Sequence, residues 1–189
     1  MSSKEQKSHW DLKYEQGLPA LTEPDPFFLS AYERFLDGRF PNGGAALDLA
    51  CGLGRHALWL ASRNWRVSAF DLSDVAIEKL KSAAVERSLT LDLFVGDASE
   101  YQFAPACFDL IVLFYHLDCS LFPKLTRALK PEGLLVCKMS LRWEVAGRTH
   151  DTLCRNELPS LVPELRPLHH QERPVRDRGV IEFAGQKMG

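Results

Sequence analysis

Residues 47–61 read LDLACGLGRHALWLA. A short apolar run carrying one acid, Asp48, gives way to Gly52-Leu53-Gly54. From Gly54 to Arg63 the apolar Ala57, Leu58, Leu60 and Ala61 then fall on one helical stripe. Strand, glycine turn and helix in this order form the opening unit of a doubly wound sheet, whose ligands bind outside the carboxyl ends of its strands. A Gly-x-Gly turn at such a strand end suits a dinucleotide, a phosphate or a ligand with no phosphate, and the rest of the chain has to separate these.

Outward from this stretch, strand and helix patterns alternate. AALDLA (45–50) is the first strand and WRVSAF (65–70) the second. Ser73 caps a helix over Asp74–Glu86, with Val75, Leu80 and Ala84 turned inward. TLDLFV (90–95) and FDLIVLF (108–114) are strands three and four, the latter apolar enough to be buried on both faces. A helix over Cys119–Leu129 stops at Lys130-Pro131-Glu132-Gly133, a turn, before strand five, LLVCKMS (134–140). After a helix near Asn156–Val162, LRPLHHQE and GVIEFAGQKM read as two strands joined by RPVRDR, a closing hairpin. The expected fold class is therefore α/β: a doubly wound, mostly parallel, seven-stranded sheet with helices on both faces and a C-terminal antiparallel hairpin. With no repeat or linker, the 189 residues are expected to form a single domain, divided into an N-terminal segment (1–40), a ligand-binding core (45–140) and a C-terminal part (141–189).

A chain of this length buries roughly 70% of its unfolded surface. Its 46% hydrophobic and 25% charged residues are globular values, and a formal charge of -2 argues against a nucleic-acid partner. Residues 1–137 carry 14 Lys+Arg against 18 Asp+Glu, whereas 138–189 carry 9 against 7, so the C-terminal part is mildly basic. Five widely spaced cysteines with no C-x-x-C pair fit neither a disulfide framework nor a metal site. No apolar leader or membrane-spanning run is present, so the expectation is a cytoplasmic protein with reduced thiols and no membrane partner.

Gly52 to Ala57 matches the loose G-x-G-x-x-A form of a nicotinamide dinucleotide site, and Asp71 follows strand two. Against that reading, Asp48 at the mouth of the loop would repel a pyrophosphate. A further acid, Asp97, follows strand three, and the chain has no Tyr-x-x-x-Lys pair. A P-loop is excluded, because no glycine precedes Lys and then Ser or Thr. Three acids ending consecutive strands suit a nucleoside with a cationic amino-acid tail, as in S-adenosylmethionine.

LDLACGLGRHALWLA, AFDLS, VGDAS, FDLIVLFYHLD, LKPEGLLVCK and the N-terminal HWDLKYEQG together resemble the class I S-adenosylmethionine-dependent methyltransferases, from about Trp10 to the C-terminus. Among these the chain is most similar to the small bacterial tellurite-resistance and thiopurine type. The resemblance implies that the backbone at Ala50, Cys51, Gly52 and Gly54 approaches the methionine moiety, while Asp48 orders the loop or meets its ammonium. It implies further that Asp71 takes the ribose hydroxyls, that Leu72 packs on the adenine, and that Asp97 and Ala98 meet the adenine edge. Trp10 and Tyr14, four residues apart and on one helical face, would belong to a lid over the cofactor.

Phe114, Tyr115 and His116 end strand four, where this family places residues beside the transferring methyl; His116 is the candidate base or acceptor-orienting group. The FYHLD sequence there lacks the Asn/Asp-Pro-Pro-aromatic motif of nucleobase N-methyltransferases. Arg173, Arg176 and Arg178 cluster around the hairpin tip, where arginines suit an oxyanion or carboxylate acceptor. His169 and His170 approach that tip, and alternation allows one of them to face inward. Arg55 and His56, opening the first helix, read as solvated or loop-bracing. The expected partner is a small-molecule methyl acceptor: a thiol, a chalcogen oxyanion or a small metabolite. A nicotinamide-dependent oxidoreductase and a non-catalytic S-adenosylmethionine-binding protein are the competing readings.

Overall fold

The structure, a computed structural model, describes residues 2–17, 22–142, 152–175 and 178–189. The chain forms two compact units, residues 1–101 and 102–189. The first contains helices α1 (Ser3–Glu15), α2 (Pro26–Phe35), α3 (Arg55–Ala61) and α4 (Asp74–Glu86) and strands β1 (Ala45–Leu49), β2 (Arg66–Asp71) and β3 (Asp92–Val95). The second contains β4 (Phe108–Phe114), α5 (Leu121–Ala128), β5 (Leu129–Leu141), α6 (Leu158–Leu161), β6 (Leu165–Val175) and β7 (Arg178–Lys187).

In the first unit the strands lie in the order β3-β2-β1, all parallel, with Ala45–Leu49 opposite Arg66–Phe70 and Ser68–Asp71 opposite Asp92–Val95. In the second the order is β4-β5-β7-β6; β4 and β5 are parallel, and β7 is antiparallel to both β5 and β6. These are the seven strands of a mixed α/β sheet, with the C-terminal hairpin that the sequence predicts. Among the described residues, no helix is long and apolar enough to cross a membrane.

Local chemistry accounts for the elements. Ser2 opens α1 with a capping box, its hydroxyl accepting from the Glu5 N–H while Glu5 accepts from the Ser2 N–H at 2.7 Å. Asp25 caps α2, accepting from the Phe27 N–H at 2.9 Å, with Pro26 at the first helical position. The helix buries Phe27, Phe28, Ala31 and Tyr32. Tyr32 lies edge-on to Trp59, with ring centroids 4.8 Å apart, and accepts a hydrogen bond from the Trp65 indole at 3.0 Å.

Two predicted elements differ in extent. The Lys130–Gly133 turn lies inside β5, because Leu129 pairs with Phe108 while Leu134 pairs with Leu110. The extra residues form an irregularity in the ladder: Glu132 has φ +65° and Lys130 pairs with Asp109 at 2.7 Å. The turn chemistry is present, but pairing resumes on both sides of it. The helix expected over Asn156–Val162 is a single turn, Leu158–Leu161, containing Pro159, which cannot donate a backbone hydrogen bond.

His56 braces the join between α2 and α3. Its Nε2 accepts from the Asp25 N–H at 3.2 Å, and its ring lies 4.8 Å from that of Phe28. Burial, and secondarily the Arg55 charge, lower its pKa to about 3. A histidine held neutral in the fold contributes stability above its ordinary value of 6.5, and that stability is lost as pH falls from 6.5 towards about 3. In His56→Gln, whose side-chain carbonyl can still accept from Asp25, the drop in melting temperature between pH 7 and pH 4 should be smaller than in the wild type. The wild-type excess is expected to be on the order of a few kcal/mol. Equal drops in parallel thermal melts would contradict this role.

Candidate functional site

The glycine turn is built from unusual backbone. Ala50, Gly52 and Gly54 have φ values of +54°, +54° and +75°. Positive φ at Ala50 is uncommon for a residue with a Cβ, and such strain persists where surrounding structure over-determines the conformation. Here the Cys51 N–H bonds to the Phe70 carbonyl at 3.1 Å and the Gly54 N–H to the Cys51 carbonyl at 2.9 Å. A Cβ on Gly54 would lie 2.2 Å from Leu80 Cδ1 of α4, so glycine permits both the turn and the approach of that helix. A Cβ on Gly52 would lie 2.7 Å from the Tyr14 hydroxyl.

Of the three predicted acids, Asp48 is the penultimate residue of β1, Asp71 the last of β2 and Asp97 two residues beyond β3, and the first two hold this backbone. Asp71 Oδ2 accepts from the Gly52 N–H at 2.8 Å and its Oδ1 from the Ser73 N–H at 2.9 Å. One carboxylate therefore fixes both the glycine turn and the residue that caps α4, since Ser73 Oγ accepts from the Ala76 N–H at 3.1 Å. Asp48 Oδ2 accepts from the Ala57 N–H at 2.9 Å, in the first turn of α3. Of the two expectations for Asp48, the structure contains the loop-ordering one. Burial pushes the Asp48 carboxyl up to about 7, against the Ala57 hydrogen bond and the Arg55 charge, which lower it; Asp71 raises it further. Asp97, half-buried, accepts from the Ser99 N–H at 2.8 Å in an Asx turn. The preceding Gly96 N–H bonds to the Asp71 carbonyl at 3.0 Å. Leu72 and Ala98 are half-buried beside these acids, whereas Cys51 is buried and its thiol is raised by burial first and by Asp48 and Asp71 next.

Helix α1 has no buried residue, yet it reaches the turn. Tyr14 packs on Gly52, and its phenol is held well above the ordinary value by burial and then by Asp71 and Cys51. Trp10 is 41% exposed and stacks on Tyr14, with Lys13 at 4.5 Å over its ring. Of the predicted aromatic pair, only Tyr14 therefore lies against the loop. Sequence reading missed the polar tether of this helix: Ser73 Oγ donates to Asp11 at 2.5 Å, Lys7 pairs with Asp11 at 2.6 Å and with Asp74 at 2.7 Å, and Lys79 donates to the Tyr14 carbonyl. Apart from the i,i+4 pair Lys7–Asp11, no periodic pattern marks these contacts, because the partners in α4 and at its start lie some 60 or more positions away along the chain.

In the second unit, Phe114 ends β4 and is buried, Tyr115 is 50% exposed and His116 is half-buried. Tyr115 adopts φ +58°, and its N–H bonds to the Lys138 carbonyl at 2.8 Å, a strained conformation for a bulky residue at a strand end. Arg173 lies within β6, where it pairs with Glu182 at 3.0 Å. Arg176 and the side chain of Arg178 lie outside the described residues. His170 is 3.4 Å from Glu172, and His169 is half-buried.

Residues 46–133 match a family model described as a methyltransferase domain. The putative methyltransferase YqeM of Bacillus subtilis (strain 168) is 26% identical over 123 residues, covering 61% of this chain and 50% of that protein. The chain thus spans about half the length of the curated relative it matches. Among solved structures, TehB from Haemophilus influenzae is similar with a TM-score of 0.75 at 16% identity, over 96% of this chain and 67% of that one. Burkholderia thailandensis 1,6-didemethyltoxoflavin-N1-methyltransferase was solved with bound 1,6-didemethyltoxoflavin and S-adenosylhomocysteine. It is similar with a TM-score of 0.72 at 18% identity, over 100% of this chain and 92% of that one. At these identities the structural likenesses establish the α/β fold.

Replacing Gly54 by alanine tests the construction of the turn. Left-handed backbone and the approach to Leu80 together should cost roughly 2–4 kcal/mol in urea unfolding. A variant as stable as the wild type would show that the turn does not depend on glycine there.

Proposed function

We propose, from the match of residues 46–133 to a methyltransferase domain and the resemblance of the chain's motifs to the class I S-adenosylmethionine-dependent methyltransferases, that it transfers a methyl group from S-adenosylmethionine to a small molecule. The observation that carries the proposal is the Asp71 carboxylate, buried at the end of β2 and bonded to Gly52 of the turn. A turn flanked by Asp48 and Asp71 opposes a pyrophosphate and favours a ligand carrying a cationic tail and a diol. The chemistry of this donor set therefore fits the family's cofactor better than a dinucleotide.

In this reading Asp71 accepts from the ribose hydroxyls, Leu72 packs on the adenine, and Asp97 and Ala98 meet its edge. The backbone at Ala50, Cys51, Gly52 and Gly54 lies along the methionine moiety, and Asp48 keeps that backbone in place. Helix α1 acts as the lid, with Tyr14 as its inner aromatic and Trp10 stacked on it. The helix has no buried residue, and its Lys7–Asp74 pair is exposed, a kind of pair that contributes about 0–1 kcal/mol.

When bound, the cofactor supplies an electrophilic methyl on a sulfonium centre. The residues have to align a nucleophile in line with that methyl and exclude water. Tyr115 and His116 at the end of β4 are proposed to orient the acceptor, and His116 can take a proton from a neutral one. A thiolate or reduced chalcogen needs no such base. Arg173 and Arg176 are proposed to attract an anionic acceptor. A thiol, a chalcogen oxyanion or a small metabolite fits this arrangement.

Thermal shift separates the proposal from a dinucleotide site. S-adenosylhomocysteine at about 100 times its dissociation constant should add about 2.7 kcal/mol, a rise of several degrees, while NAD leaves the melting temperature unchanged. Stabilisation by NAD and not by S-adenosylhomocysteine would contradict the proposal.

A further inference from the structure

We propose that Arg142 is the anchor for an anionic oxygen group on the methyl acceptor, so that the acceptor is a carboxylate, phosphonate or similar oxyanion; this rests on the methyltransferase reading. The residue directly follows the last residue of β5, and its backbone is pinned: its N–H bonds to the Leu153 carbonyl at 2.9 Å, the Leu153 N–H bonds to the Ser140 carbonyl at 3.1 Å, and Leu141 bridges Leu153 in parallel. The guanidinium therefore projects from fixed main chain. Two of its nitrogens, Nε and Nη1, are buried with no hydrogen-bond partner among the described residues. Arginine stays charged at every physiological pH, so these donors cannot be silenced by losing a proton. Buried polar groups in folded proteins are almost always satisfied, by protein, water or a bound group, so these two donors are open to an acceptor.

Neighbouring groups show which partner that is. Strand alternation places Lys138 and Ser140 on one side of β5, the strand that Arg142 directly follows. On that side Lys138 pairs with Glu182 at 2.9 Å, and Arg173 pairs with the same Glu182 oxygen at 3.0 Å. Burial raises the Glu182 carboxyl, but the hydrogen bonds from Arg173 and Lys138 outweigh it and hold the group below the ordinary carboxylate value. Lys138 and Arg173 thus share one carboxylate, two cations against one anion. An incoming oxyanion would satisfy Arg142, whereas a cationic acceptor would set a further positive charge against its guanidinium. The location also suits an acceptor, because Lys138 pairs with Phe114 across the sheet and its carbonyl holds Tyr115. These are the carboxyl ends of parallel strands, where doubly wound folds bind ligands.

The experiment uses the full chain saturated with S-adenosylhomocysteine, titrated calorimetrically with benzoate, methylphosphonate and the neutral benzamide. In the wild type at least one of the two anions should bind, and at least tenfold more tightly than benzamide. In Arg142→Gln that anion should bind roughly tenfold to a hundredfold more weakly, with partial recovery in Arg142→Lys. In the wild type the binding anion should also shift the 15N resonance of the Arg142 Nε–H saturably, a readout that needs no variant to fold. If neither anion binds the wild type, if Arg142→Gln binds the anions as tightly as the wild type, or if the Nε resonance does not move, the proposal is overturned. S-adenosylhomocysteine affinity, measured in the same samples before saturation, reports separately on the methyltransferase reading. Its absence sinks that reading, and the anion titrations of the free protein still decide whether Arg142 binds an oxyanion.

Discussion

Asp71 links its two carboxylate oxygens to two different pieces of backbone, the Gly52 N–H of the glycine turn and the Ser73 N–H that begins α4. Charge-assisted hydrogen bonds of this kind are among the stronger polar interactions in a protein. Most of the first unit's functional geometry follows from it. With Gly52 held, the chain leaves β1 through left-handed backbone at Ala50, Gly52 and Gly54 and enters α3, where Asp48 takes up the Ala57 N–H. With Ser73 held, α4 starts beside the same carboxylate, and the Ser73 hydroxyl is in position to donate to Asp11 and tether α1.

Much of this was legible in the residues because it depends on local rules. Ser73 as a cap, the Asp74–Glu86 helix and the Phe108–Phe114 strand appear with the limits predicted, since capping and apolar runs act within a few positions. The bracing role read for His56 also matches its bond to Asp25. Less legible were features set by partners distant in sequence. The Lys130–Gly133 turn has every residue of a strand terminator, yet β5 begins at Leu129, because pairing with β4 on both sides of the irregularity overrides the local signal. The tether of α1 and the unmatched donors of Arg142 depend on tertiary placement, for which no spacing rule exists.

The buried ionisable groups have opposite effects on stability. His56 is held neutral and contributes stability that is lost as pH falls from 6.5 towards about 3, whereas Asp48, pushed up to about 7, contributes stability in its protonated form that is lost as pH rises through that value. Removing Asp48 to relieve that cost would also remove the acceptor for Ala57 in the first turn of α3. The site thus retains a carboxyl whose ionisation the fold disfavours because that carboxyl shapes the loop. Proteins commonly place such local conflict where a ligand binds. The second unit has a parallel case in Lys138, buried and tolerated through Glu182, on the strand that leads into Arg142, whose Nε and Nη1 have no partner among the described residues.

The central claim is that Asp71 serves the turn and the ribose with one carboxylate. Calorimetric titration of S-adenosylhomocysteine into wild type, Asp71→Asn and Asp71→Ala tests it most directly, with urea unfolding of each variant to separate loss of fold from loss of site. The account predicts that Asp71→Ala weakens binding by more than tenfold, with Asp71→Asn in between, because a charged acceptor of paired hydroxyls is removed. Unchanged affinity in a folded Asp71→Ala protein would contradict it and would show that Asp71 supports the turn alone.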